Sequence, residues 1–184
     1  KPWPELKRSS IRINATLPRV ESSKVGQILE RFPGADTVKI KVNDFERDSE
    51  LVEAALEFNP DFKVRLDVNG GWNLDEALLN LYNYHLRFGE IFEYIEQPVL
   101  EIPDLIALKR EIPMKIAIDE SIRKALDSDF LQASEFADYA IIKWAPSGGF
   151  SKAEKLMKKI GLPVIISSAL DTGIGISHGL ALAA

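Results

Sequence analysis

TVKIKV, residues 37–42, alternates apolar and basic side chains. Successive side chains of a strand point to opposite faces. Val38, Ile40 and Val42 therefore share one face, and Lys39 and Lys41 share the other. The ordinary reading of such a face is a wet surface, because lysine is rarely buried without a partner. The rest of the chain argues against that reading.

Outward from this strand, short apolar runs and amphipathic stretches alternate without a break. Strands are expected at 11–17, 37–42, 63–69, 93–97, 115–119, 139–144 and 163–168. Helices are expected at 22–32, around 46–58, over LDEALLNLYNYHLRF, after Pro103, near 124–134, over FSKAEKLMKKIG and near 173–184. Ser22 or Ser23 reads as the N-cap of the first helix, and Pro33-Gly34 as its stop. Strict strand–helix alternation argues for a parallel sheet covered by helices. Its length and regularity, with no glycine fingerprint after an early strand, favour an α/β fold of the (β/α) TIM-barrel type over an open doubly wound sheet. A closed barrel takes eight strands and about 250 residues. The eighth strand is accordingly expected beyond Ala184, with residues 11–184 forming an incomplete barrel domain.

The bulk composition narrows the function. The chain has 184 residues, 46% hydrophobic and 28% charged, with a net charge of −5. That balance supports a sizeable core and offers no broad basic field for nucleic acid. There is no cysteine, which excludes disulfides, thiolate metal sites and a cysteine nucleophile. No apolar run reaches the roughly 18–20 residues of a membrane span. A cytoplasmic setting suits this composition.

In barrels of this kind the active site lies at the C-terminal ends of the strands. Strands two to six carry Lys41, Asp67, Glu96, Asp119 and Lys143 there, separated by 26, 29, 23 and 24 residues. A single charge after a strand ordinarily just begins a loop; five in succession point to a site. Three converging carboxylates repel one another unless a cation joins them. An all-oxygen set favours Mg2+ or Mn2+ over zinc. Lys41 and Lys143, on opposite sides of the barrel, would flank a ligand held by that cation. A carboxylate substrate so held has a more acidic α-hydrogen. A neutral lysine can remove it if its pKa falls toward neutrality. Lys39 is expected to depress Lys41 by like-charge repulsion, with Arg65 adding to this or pairing with a ligand carboxylate.

VKIKV (38–42), RLDVNGGW (65–72), YIEQP (94–98), IAIDES (116–121) and IIKWAPSGG (141–149) together resemble the enolase superfamily, in its muconate-cycloisomerase-type subgroup. That superfamily works with Lys or His bases beside Mg2+. Within it, INATLPRV (13–20) and VIISSALDTGIGISHGLALAA (164–184) are similar to the o-succinylbenzoate synthase branch. The resemblance implies a lyase that dehydrates a succinyl-hydroxycyclohexadiene carboxylate through an enediolate, in menaquinone biosynthesis. It implies Asp67, Glu96 and Asp119 as metal ligands and Lys41 as base and returning acid. Lys143 would be the cation that stabilises the enediolate, and Asn69 a residue orienting a metal-bound water. Ser168 is implied at the succinyl carboxylate. It also implies an N-terminal capping domain, with residues 1–10 as the linker from it. The alternatives on the same scaffold are an N-succinylamino acid racemase, a dipeptide epimerase or a muconate cycloisomerase; a different class is an inactive barrel fragment. The expected partner is a small carboxylate, with neither nucleic acid nor membrane.

The remaining conspicuous residues read as structural. His85 and His178 lie in helical stretches, away from strand ends. Trp3, Trp72 and Trp144 read as packing residues, PSGGF (146–150) as a tight turn, and the basic KAEKLMKKIG face as solvent-facing. Asp171 reads as either a helix cap or a pocket residue.

Overall fold

The computed structural model describes residues 8–124 and 132–184. Trp3 and most of the expected linker at 1–10 lie outside them, as does the middle of the helix expected at 124–134. Seven strands alternate with helices: β1 Ala15–Leu17, α1 Val25–Leu29, β2 Thr37–Lys41, α2 Phe45–Phe58, β3 Lys63–Asp67, α3 Leu74–Phe88, β4 Phe92–Glu96, α4 Ile102–Glu111, β5 Ile116–Ile118, α5 Glu120–Lys124, α6 Ala133–Phe136, β6 Tyr139–Lys143, α7 Phe150–Ile160, β7 Val164–Ser167 and α8 Gly173–Ala183. The strands pair in parallel in chain order, leaving β1 and β7 as the edges of a curled half-barrel.

Alternation along each strand divides the sheet into two surfaces. Val38 and Ile40 of β2, Val64 and Leu66 of β3, Ile95 of β4, Ile116 and Ile118 of β5, and Ala140 and Ile142 of β6 all face the helices and are buried. They form one continuous core with Leu51, Val52, Ala55, Leu81, Leu105 and Leu108 of α2, α3 and α4. Among the described residues, the opposite, concave surface carries a small separate buried apolar cluster, Tyr94, Ala117 and Ile141. Most apolar burial thus lies between sheet and helices, which frees the concave surface for polar groups.

Local chemistry sets the helix ends. Asp44 caps α2 by accepting from the Arg47 amide at 3.0 Å. Asn73 and Glu76 form a reciprocal capping box at the start of α3, each bond 2.9 Å. Pro103 lies in the first turn of α4, where its missing N–H costs nothing. The first helix departs from expectation. Ser22–Lys24 form a 3-10 turn, α1 begins only at Val25, and no side chain caps either. Val25 and Leu29, four residues apart, are its buried residues, so one α-turn suffices to dock it. β1 is likewise shorter than expected, because it pairs only through Ala15–Leu17 and leaves Ile13 exposed.

Leu66→Ala empties a fully buried position between β3 and the helices. It is expected to lower the unfolding free energy by about 2–5 kcal/mol. Urea titration measures this; the exposed Lys63→Ala serves as a near-silent control.

Candidate active site

Lys39 and Lys41 point to the concave surface, away from Val38 and Ile40. Pairing runs Lys41↔Asp67 and Asp67↔Glu96, so these three side chains stand level on adjacent strands. The register then staggers. Glu96 pairs with Ala117, and Asp119 lies two residues further on. Ala117 pairs with Tyr139, so Ile141 lies opposite Asp119 and Lys143 is again two residues beyond. Such a stagger accompanies strand tilt in barrels.

Lys39 is the hub of one half of the site. Its ammonium lies 3.1 Å from Asp67 Oδ2 and 3.1 Å from Glu96 Oε2. Both carboxylates are almost wholly buried. Burial disfavours the Lys39 ammonium, but Glu96 and Asp67 outweigh it and raise its pKa. Burial also pushes the Glu96 carboxyl up to about 7, with Lys39 lowering it and Asp67 raising it. One ammonium thus serves two carboxylates, and the structure engages the Lys39 charge with them.

Lys41 is more open, with 44% of its side chain exposed. Its ammonium lies 3.5 Å from Asp67 Oδ2 and donates to Asn69 Oδ1 at 2.5 Å. Asn69, at φ 54°, donates in turn to Glu120 Oε1 at 3.2 Å. Glu120, the residue after Asp119, went unnoticed in the sequence; its other oxygen is buried without a hydrogen-bond partner. Across the sheet, the Lys143 ammonium contacts Asp119 Oδ2 directly.

Gln97 was also missed. It is completely buried and follows Glu96 at φ 40°. Its Oε1 accepts from the Asp119 and Ser121 amides at 2.9 and 3.0 Å. The only sequence signal was a polar residue between a strand-end carboxylate and Pro98.

Arg65 donates to Glu93 Oε2 at 2.6 Å and to Asn14 Oδ1 at 2.9 Å, one pleat away from Asp67. A register shift opposite Val64 and Arg65 leaves Glu93 as the extra residue, which accounts for this pairing. Ser168 is exposed just past β7, whereas Ser167 pairs with Lys143 and shares its face. Trp72 is buried and donates to the Asn43 carbonyl at 2.5 Å. Trp144 stacks on His178 with ring centres 5.2 Å apart. His85 approaches Glu90 at 4.0 Å, away from the strand ends. In PSGGF the Ser147, Gly148 and Gly149 amides donate to the Lys143, Ala145 and Trp144 carbonyls, so the segment is a turn. Asp171 Oδ2 accepts from the Ala169 amide at 3.4 Å, and Thr172 caps α8.

As placed, these side chains do not close on a common point: among the described residues no group of three carboxylates or imidazoles is arranged to hold a metal. The donor chemistry nevertheless fits a hard cation. Asp67 and Glu96 already share one positive charge, and Asp119 shares another with Lys143. Asp67, Glu96 and Asp119 are the residues that would hold a divalent ion, through carboxylate oxygens.

Residues 27–184 match the family described as enolase C-terminal domain-like. The chain belongs to that family. This enolase-like domain is 42% identical over 98% of its length to o-succinylbenzoate synthase of Mycobacterium tuberculosis, covering 56% of that protein. The chain thus spans about half the length of the curated relatives it matches. Among solved structures, a mandelate racemase/muconate lactonizing enzyme from Roseiflexus sp. superposes with a TM-score of 0.80 at 21% identity, covering 94% of this chain and 52% of that one. A dipeptide epimerase from Enterococcus faecalis gives 0.78 at 27% identity, with coverage of 94% and 52%. No helix among the described residues is long and apolar enough to cross a membrane.

Burial separates the two lysines of β2. Lys39→Ala leaves two buried carboxylates without their shared ammonium and is expected to cost about 3–5 kcal/mol in metal-free protein. Lys41→Ala removes a half-exposed charge and is expected to cost under about 1 kcal/mol. Equal losses in denaturant titrations at neutral pH would refute the placement of Lys39.

Proposed function

We propose that this domain is the catalytic barrel of a Mg2+-dependent o-succinylbenzoate synthase. The observation that carries the reading is 42% identity across 98% of the chain to proteins of that name. The lysines at the ends of β2 and β6, on either side of the strand-end carboxylates, support it.

Asp67, Glu96 and Asp119 would hold the cation, Mg2+ or Mn2+, through carboxylate oxygens. When bound, the cation would supply positive charge to the substrate carboxylate and acidify the adjacent C–H. Lys41, as the neutral amine, takes that proton. The electron pair of the C–H bond moves toward the carboxylate, giving an enediolate. As the pair returns, the neighbouring C–O bond breaks. Lys41 gives its proton to the departing hydroxyl, so water leaves from the face the proton came from. Lys143 stays cationic and faces the developing negative charge from the other side. Asn69, held by Glu120, orients Lys41 through its carbonyl oxygen. The substrate is a small carboxylate, Ser168 or its neighbour Ser167 lies near its succinyl end, and the reaction belongs to menaquinone biosynthesis in the cytoplasm.

A second reading, epimerisation of a dipeptide or racemisation of an N-succinylamino acid, is favoured by the 27% identity to the Enterococcus faecalis enzyme. It uses the same two lysines, one to remove the proton and the other to return it from the opposite face.

The test is an assay of the full-length protein on both substrate classes with Mg2+. Dehydration is expected to dominate, to disappear with a chelator and to return with Mg2+. Lys41→Ala and Lys143→Ala are each expected to lower the rate by about 10²–10⁴-fold. Normal turnover by Lys41→Ala would remove it as the base. Exchange or racemisation without dehydration would replace the substrate and leave the site in place.

A further inference from the structure

Gln97 makes six hydrogen bonds from a position with no solvent exposure. Its backbone amide donates to the Ala117 carbonyl at 2.8 Å, and its carbonyl accepts from the Gly70 amide at 2.6 Å. Its Nε2 donates to the Val99 carbonyl at 2.8 Å and to Ser121 Oγ at 2.6 Å. Its Oε1 accepts from the Asp119 and Ser121 amides. The orientation of the carboxamide is forced, since only an oxygen can accept from two backbone amides and only the nitrogen can donate to a carbonyl.

These bonds reach all three carboxylate-bearing strand ends. Gly70 belongs to the turn that follows Asp67. Glu96 precedes Gln97 in the chain. Asp119 donates its own amide to the side chain. The cost of the arrangement is visible in the backbone: a non-glycine residue at φ 40°, immediately before Pro98. Such a conformation persists where the surroundings over-determine it, and it clusters at functional sites. An apolar side chain here would leave the buried Asp119 and Ser121 amides and the Val99 carbonyl without these partners, so the carboxamide is what joins the end of β4 to the β5–α5 turn.

We propose that Gln97 is a positioning residue that sets the relative placement of Asp67, Glu96 and Asp119, and thereby the affinity of the site for a divalent cation. The inference rests on the cation-binding reading above. Glutamate cannot replace it, having no donor for Val99 and Ser121. Asparagine is one methylene too short to reach the β5–α5 turn. Glycine suits the positive φ but lacks the carboxamide.

The test is Mn2+ binding to the full-length protein, followed by titration calorimetry and by the paramagnetic resonance of free Mn2+. Gln97→Ala and Gln97→Gly are both expected to weaken Mn2+ binding by about 10–100-fold. Ser121→Ala, which deletes only the acceptor of one Nε2 bond, is expected to weaken it by about threefold. Leu66→Ala lowers stability without touching the site and is expected to keep wild-type affinity, which separates positioning from general destabilisation. Wild-type affinity in folded Gln97→Ala or Gln97→Gly overturns the proposal. Should neither fold, unchanged affinity in Ser121→Ala overturns it. A wild-type protein that binds no Mn2+ at millimolar concentration sinks the cation-binding reading and this inference together. That outcome differs from one in which the wild type binds and the variants match it.

Discussion

One ammonium group, that of Lys39, is shared by two buried carboxylates, each 3.1 Å away. Buried carboxylates favour the neutral form unless a cation stands close. Here the Lys39 ammonium is divided between Asp67 and Glu96, Lys41 lies 3.5 Å from Asp67, and Asp119 adds repulsion on Glu96. Burial first, then repulsion from Asp67 and Asp119, raises the Glu96 pKa to about 7 against the opposing pull of Lys39. The concave rim thus sets three buried acids against the ammonium groups of Lys39, Lys41 and Lys143. A hard cation would offset the burial and mutual repulsion of these acids, which gives a physical reason for a strand-end array that apolar packing does not require.

The fold tolerates this array because its two sheet surfaces do different work. The surface under the helices holds Val38, Ile40, Leu66, Ile95, Ile118 and Ile142 in one continuous apolar core. Among the described residues, the concave surface has Tyr94, Ala117 and Ile141 as its buried apolar cluster. Stability is therefore drawn chiefly from one side of the sheet, and charge can be concentrated on the other. Parallel strands also bring all their C-terminal ends to one rim, so residues about 25 positions apart become neighbours. The turns beyond that rim then act as braces. Asn69, Gly70 and Gln97 all have positive φ, and their hydrogen bonds tie the β3, β4 and β5 ends together.

Much of this was legible from pattern alone. Period-two alternation in TVKIKV places both lysines on one face, and the regular spacing of Lys41, Asp67, Glu96, Asp119 and Lys143 marks one rim. The helix over Leu74–Phe88 follows from its apolar face, and the structure adds the Asn73–Glu76 capping box that starts it. Where the reading missed, distance in the chain was the cause. Arg65 looked available for the site, but a register shift supplies Glu93 as its partner, and shifts of that kind leave no mark in composition. Ser168 and Ser167 differ by one position, and only pairing with Lys143 decides which shares its face.

The sequence by itself determined the alternation of strands and helices, the face each strand buries and the identity of the charged residues at the rim. These depend on periods of two and 3.6 residues, which are local properties of the chain. Tertiary structure decided which charges meet. Lys39 engages carboxylates 28 and 57 residues away, and the Gln97 side chain reaches an amide 22 residues on. Such pairings depend on register, stagger and loop conformation, which set positions to a fraction of an ångström. Coulomb and hydrogen-bond energies change steeply over that range, whereas hydrophobic patterning does not.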